Sequence, residues 1–197
     1  MKRQIILASS SPRRIEMLKQ KGFDPIIRKP DIDENIDENT DMKEAVCYLA
    51  LKKGLAVEAS FAGQFPDQGV IIAADTVVFN GRIIGKPESR EEAFRILQDL
   101  NGKSHYVATG VALIEPASFN RRVFYELTRV YFKQYTEEDI LRYIDTDEPY
   151  DKAGGYAIQG NWGPLVDYIE GDYDNVIGFP FQRIMKELME LDQHSSV

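Results

Sequence analysis

Cysteine occurs once in this chain, at Cys47. It can therefore close no internal disulfide and offers no Cys-x-x-Cys pair, a composition suited to a reducing compartment, so a cytoplasmic location is expected. Histidine occurs twice, and His194 lies among the last four residues, where fraying is expected. A zinc site or a Ser-His-Asp triad would rest on His105 alone, and no Gly-x-Ser-x-Gly elbow accompanies it. No apolar run approaches the ~20 residues of a membrane span, and no signal-type apolar region precedes a cleavage site. Positive charge is also in deficit: 24 Lys and Arg stand against 32 Asp and Glu, a net charge of −8. Such a surface does not coat nucleic-acid phosphates, so no stable nucleic-acid partner is expected, and an anionic ligand must meet a local cluster of cations. Carboxylates, lysines and arginines are left to carry any reaction.

What is present is an ordinary soluble composition, 43% hydrophobic and 28% charged over 197 residues, enough for one domain or two closely joined lobes. Gln4–Ala8 reads as a short apolar strand. Ser11 at N-cap and Pro12 at N1 then open a helix that Gly22 ends. A second strand is predicted over Phe23–Ile27, an acidic loop over Pro30–Asn39, and a long helix from Thr40 or Asp41 to about Ser60. Val70–Ala74 reads as a fully apolar strand ending on Asp75, followed by a hairpin of Thr76–Phe79 and Arg82–Ile84 around Asn80-Gly81. A helix is expected over Ser89–Leu100, two long adjacent antiparallel strands over His105–Ile114 and Val123–Phe132, and an acid-rich helix from Thr136 to about Asp145. A loop over Asp147–Gly163, a strand over Leu165–Glu170 and a last helix opened by Pro180 complete the pattern. Strands and helices interleave, but the long hairpin breaks strict alternation, so the fold class is mixed α/β (α+β), two lobes with a cleft between them.

Some residues sit where structure alone would not put them. Arg13 and Arg14 occupy the first turn of the first helix, where the helix dipole opposes a cation by ~0.3–1 kcal/mol each. With the serines before them they form an anion cradle suited to phosphate, or they simply reach surface carboxylates. Lys53 falls inside the apolar stripe Val46, Leu49, Ala50 and Val57, so it either snorkels or points into a polar site; Lys52 lies off the stripe and reads as solvated. Asp75, closing the most apolar strand, has three readings: a Mg²⁺ ligand, a general base, or a turn residue that caps the strand. Gly85-Lys86-Pro87 puts a lysine in a stiff turn, and Ile32-Asp33-Glu34 sets an apolar anchor beside acids. The stretch Tyr150 to Gly160 carries glycines that allow close backbone approach to a ligand.

As an ordered set these pieces resemble the Maf family of nucleoside triphosphate pyrophosphatases. The matching stretches are Leu7-Ala8-Ser9-Ser10-Ser11-Pro12-Arg13-Arg14, Ile32-Asp33-Glu34, Leu49-Ala50 with Lys53, Ala74-Asp75-Thr76-Val77, Gly85-Lys86-Pro87 and Thr109-Gly110-Val111. Glu148-Pro149-Tyr150-Asp151-Lys152-Ala153-Gly154, Ile158-Gln159-Gly160 and Gly171-Asp172-Tyr173 continue the set. Gly54, where the family usually has alanine, and Phe179, where it has leucine, are small departures. The resemblance implies a single domain over 1–197 with a fold like that of the inosine-triphosphate pyrophosphatases. It implies hydrolysis of a nucleoside triphosphate to the monophosphate and pyrophosphate with a divalent cation, Mg²⁺ or in its place Mn²⁺ or Co²⁺. Asp75 matches the proton acceptor, Ser9, Arg14, Lys53 and Lys86 are cast as phosphate ligands, and Glu34 with Asp75 as metal ligands. Arg13, Thr76 and Gln159 match the branch acting on dTTP and UTP. A house-cleaning role on modified nucleotides shares that chemistry, and a homodimer is a possible assembly. The alternative function is a nucleotide- or nucleic-acid-binding regulator of septum formation without turnover.

Overall fold

The structure, a computed structural model, describes residues 3–37, 40–66, 68–116, 118 and 120–194, with backbone only for 192–194. Glu38 and Asn39 of the acidic loop, and the side chain of His194, lie outside the described residues. The strands are β1 (Gln4–Ala8), β2 (Ile26–Ile27), β3 (Gly69–Phe79), β4 (Ile83–Ile84), β5 (Ser104–Glu115), β6 (Asn120–Phe132) and β7 (Val166–Glu170). The helices are α1 (Pro12–Gln20), α2 (Met42–Ser60), α3 (Arg90–Leu100), α4 (Glu137–Ile144), α5 (Tyr173–Ile177) and α6 (Phe181–His194). One mixed sheet has the order β2-β1-β3-β5-β6-β7, with β4 added to β3. β1 pairs in parallel with both β2 and β3, whereas β4 on β3 and β7 on β6 are antiparallel. This is the mixed α/β class expected. No helix among the described residues is long and apolar enough to cross a membrane.

The chain divides into two compact units, Met1–Asp75 with Thr109–Glu126 and Gly178–Val197, and Thr76–Ala108 with Leu127–Ile177. In the first unit, Ile6 and Ala8 of β1, Ile71 and Ala73 of β3 and Ala112 and Ile114 of β5 pack against Ala50 and Val57 of α2. Small residues set how closely α2 lies on the sheet. A Cβ at Gly110 would fall 2.2 Å from the Val46 carbonyl oxygen of α2, so only glycine fits there. In the second unit, α3 and α4 pack on Val78, Val107, Val130 and Phe132, and Trp162, 1% exposed, fills the same core. Ser89 caps α3 by accepting the Glu92 N–H at 3.1 Å, and Thr136 with Asp139 forms a capping box on α4.

Three expectations about elements need correction. The strand expected to end at Asp75 and the hairpin strand expected over Thr76–Phe79 are one continuous β3, because the carboxylate has a partner and does not interrupt the run of strand formers. β2 is only two residues long, because Pro25 has no N–H to give a ladder. The loop predicted over 147–163 contains three short 3₁₀ turns, and α5 has no counterpart in the sequence reading. The first helix also starts differently in detail. Ser11 is the N-cap but its hydroxyl caps nothing, and its own N–H instead donates to Ser9 Oγ at 3.1 Å.

Candidate active site

Asp75 sits within β3, where alternation puts it on the sheet face of Ile71 and Ala73, the face that α2 covers. The helical stripe of α2 brings Lys53 onto the same face. Lys53 Nζ donates to Asp75 Oδ1 at 2.5 Å and pairs with Glu34 Oε1 at 2.9 Å. The two lysine–aspartate side chains are each 10% exposed, whereas that of Glu34 is 53% exposed. A lysine inside an apolar stripe thus does not snorkel to water but is stabilised by two carboxylates. The sequence-level alternative of Asp75 as a strand-capping turn residue is excluded, since the strand continues beyond it.

Arg14 stands beside this group. Its Nε donates to the Gly178 carbonyl at 2.8 Å and its Nη1 to the Ala74 carbonyl at 2.8 Å and Ser9 Oγ at 3.4 Å. Desolvation pulls its pKa down to about 10, the fields of Asp75 and Glu34 oppose that, and the neighbouring Arg13 adds to it. It remains a cation at neutral pH. The alternative that Arg14 merely reaches surface carboxylates is therefore wrong, because its bonds go to backbone carbonyls and a buried serine. Ser9, Arg14, Glu34, Lys53 and Asp75 are brought together, and Arg13 is close enough to be felt by Arg14.

Lys52 corrects another expectation. It is not simply solvated: Nζ donates to the Asp33 carbonyl at 2.7 Å, so consecutive lysines of α2 hold consecutive residues of the acidic loop, one by backbone and one by carboxylate. Asp33 Oδ1 in turn accepts the Asn35 N–H at 3.0 Å, which tightens the loop around Glu34.

The other predicted residues belong to the second unit. Thr76 follows Asp75 on β3 and so lies on the opposite face, which it shares with Val78. The turn over Ala153–Gly155 packs on that face: a Cβ at Gly154 would lie 2.6 Å from Val78 Cγ2, and Gly154 N–H donates to the Gly85 carbonyl at 2.9 Å. Lys86 and Gln159 are exposed, the first next to Gly85 and the second four residues beyond Gly155. The carbonyls of Ala74 and Gly178 that direct Arg14, the Lys52 clamp and the Glu148 network around Gln159 were not anticipated from sequence. For the carbonyls no side-chain signal exists. For Glu148 the only signal was its place in a motif.

Two carboxylates and two cations gathered where α2 lies on β3 can bind an anionic ligand and hold or move a proton. The "Maf-like protein" family model matches residues 4–191. Among curated relatives, a protein of Acetivibrio thermocellus named dTTP/UTP pyrophosphatase is 45% identical over 92% of both chains. Proteins of the same name from Desulforamulus reducens and Caldicellulosiruptor bescii are 44% identical over 94% of this chain and 95% of theirs, and 46% identical over 96% and 95%. With the family pattern matched from β1 into α6, and its charged motif residues gathered around Asp75, the chain belongs to the Maf-like family.

Proposed function

We propose that this protein hydrolyses dTTP and UTP to the nucleoside monophosphate and pyrophosphate. The observation that carries the reading is the Lys53 ammonium bound by Asp75 and Glu34 with Arg14 beside them. The shared name of relatives at this level of identity supports the substrate class.

In this reading Ser9, Arg14, Lys53 and Lys86 bind the phosphates. Arg14 is held in direction by two carbonyls, so its guanidinium needs little reorganisation when substrate arrives. Lys53 exchanges a carboxylate for a phosphate oxygen, which releases Asp75 and Glu34. The family implies a divalent cation, and the donors fit one: two hard-oxygen carboxylates already meet at a single positive charge, Lys53 Nζ. No group of three or more His, Cys, Asp or Glu is gathered for a metal among the described residues. Phosphate oxygens and water would complete the shell, the arrangement Mg²⁺ prefers, and we assign that ion. Such an ion neutralises phosphate charge and makes a bound water more acidic. Asp75, once released by Lys53, accepts the proton of the attacking water. Arg13, Thr76 and Gln159 hydrogen-bond the edge of the pyrimidine base. A cytoplasmic enzyme is in keeping with Cys47 as a free thiol.

The test is a panel of normal and modified nucleoside triphosphates with Mg²⁺, scored for pyrophosphate. The reading expects dTTP and UTP far above the purine triphosphates, because polar groups that a bound base covers but the wrong base leaves unpaired discriminate by ~10⁴ or more. Equal kcat/KM on GTP and UTP refutes the base assignment. Binding over hours without turnover would instead favour a regulator.

A further inference from the structure

Glu148 opens the first of the three 3₁₀ turns between α4 and β7. Its carboxylate is bound from one side by Asn161. The Asn161 backbone N–H donates to Oε1 at 3.1 Å and Oε2 at 3.3 Å, and Asn161 Nδ2 donates to Oε2 at 3.1 Å. From the other side the Tyr143 hydroxyl donates to Oε1 at 3.0 Å. The same hydroxyl accepts the Ala157 N–H at 3.2 Å. Between these two anchors the chain turns tightly, with Gly160 N–H donating to the Ala157 carbonyl at 3.2 Å.

Gly160 shows how closely the carboxylate is built into this turn. A Cβ there would lie 1.8 Å from Glu148 Oε1, so the carboxylate occupies the space a side chain would take. One carboxylate and one phenol therefore pin both ends of the segment Ala157–Asn161, and the exposed Gln159 is its middle residue. A side chain on an unpinned turn would sample many directions. Here the backbone on either side of Gln159 is tied to the buried base of α4, where Tyr143 is 4% exposed.

We propose that Glu148 is a positioning residue for base selection: by holding Asn161, against which the Gly160 turn closes, it fixes the direction in which Gln159 presents its amide. It touches no substrate itself. The inference rests on the proposed role of Gln159 in reading the pyrimidine edge.

The experiment compares the full chain with Glu148→Gln and with Glu148→Gln/Asn161→Asp. The single change keeps shape but replaces one acceptor with an amide donor that faces the Asn161 donors. The double change exchanges donor and acceptor and re-forms the side-chain bond at constant net charge. Two readouts are taken: kcat and KM for UTP and GTP, and amide exchange over residues 157–163 without nucleotide. In Glu148→Gln the preference for UTP over GTP in kcat/KM should fall about tenfold or more, with KM for UTP rising more than kcat falls. Exchange over 157–163 should quicken about tenfold, and the double variant should recover both. Should Glu148→Gln fail to fold, Asn161→Ala, which removes only the side-chain bond, is expected to shift both readouts in the same direction by less. Unchanged selectivity, equal losses on UTP and GTP, unchanged exchange or a folded double variant without recovery overturns the proposal. A wild-type protein indifferent to the base would sink the proposed function instead, and the exchange readout would still decide whether Glu148 holds the turn.

Discussion

Replacing Gly110 by alanine tests at one position how the fold places the site. Gly110 lies within β5, and its φ is not in the left-handed region, so alanine is conformationally acceptable there. By the entropy of the unfolded chain alone, Gly→Ala at such a position stabilises by ~0.4–1 kcal/mol. The contacts reverse that sign. The new Cβ would lie 2.2 Å from the Val46 oxygen, 2.3 Å from its carbonyl carbon and 2.7 Å from Cys47 N, all helix backbone that cannot rotate aside. Reaching the 3.4 Å of an ordinary contact means lifting α2 by 3.4 − 2.2 = 1.2 Å. Overpacking of this kind costs ~1–3 kcal/mol, so a net loss of about 1–2 kcal/mol is expected in urea unfolding. Lys53 rides on the same helix, two turns beyond Val46, and its ammonium is 2.5 Å from Asp75. A displacement of about 1 Å in a catalytic group costs about a hundredfold, so kcat/KM on UTP should fall by that order. Gly54→Ala is the control. Its Cβ would lie 2.7 Å from Ile114 Cδ1, the movable tip of a side chain, and helix propensity gains up to ~1 kcal/mol, so stability and activity should stay near wild type. A Gly110→Ala protein as stable and as active as wild type within threefold would refute the idea that close helix–strand approach sets the Lys53–Asp75 geometry.

Three further outcomes follow from the same structure. Lys53→Met keeps the packed stem and removes a charge-assisted phosphate contact worth ~1.5–3 kcal/mol, so kcat/KM should drop about ten- to a hundredfold with the fold intact by circular dichroism. Wild-type turnover with a raised Tm would reduce Lys53 to an awkward core residue. Lys52→Met frees the Asp33 carbonyl and loosens the Glu34 loop, so amide exchange over residues 31–37 should quicken; unchanged exchange would show that the 2.7 Å bond does not hold the loop. His105 is buried between Phe132 and Tyr156, and desolvation pulls its pKa to about 4 from 6.5. It is neutral when folded, so the unfolded chain binds the extra proton and stability is lost as pH falls below 6.5. The loss should reach about 2 kcal/mol at pH 5, and a His105→Gln variant should be flat between pH 6.5 and 5; an equal slope in both proteins would contradict this assignment.

Much of this was legible in sequence because it is local. β1, α1, α2 and α3 follow from apolar period and caps, and the hairpin after β3 follows from Asn80-Gly81, although Phe79 opposite Ile83 makes its loop three residues, 80–82, rather than the two that the dipeptide favours. Lys53 stood out because a cation interrupts an apolar stripe, and Arg14 because a cation sits at the positive end of a helix. The continuation of β3 through Asp75 was not legible, since a lone carboxylate reads as a strand end until its partner, 22 residues earlier in the chain, is known. Lys52 was rightly placed off the buried stripe, but its acceptor is a backbone carbonyl, which no residue type announces. Thr76 and Gln159 came from family resemblance alone, and Glu148 has its effect through a turn whose geometry only the folded chain displays.

The role of Asp75 in pyrophosphate release is tested most directly by product analysis of UTP turnover by phosphorus NMR, for wild type and for folded Asp75→Asn side by side. The amide keeps the shape of the carboxylate but cannot accept a proton and is a poor Mg²⁺ ligand. Wild type should release equimolar UMP and pyrophosphate, and Asp75→Asn should be slower by ~10²–10⁴, a loss that added Mg²⁺ does not restore. UDP with orthophosphate as products, or an Asp75→Asn rate within fivefold of wild type, would contradict that role.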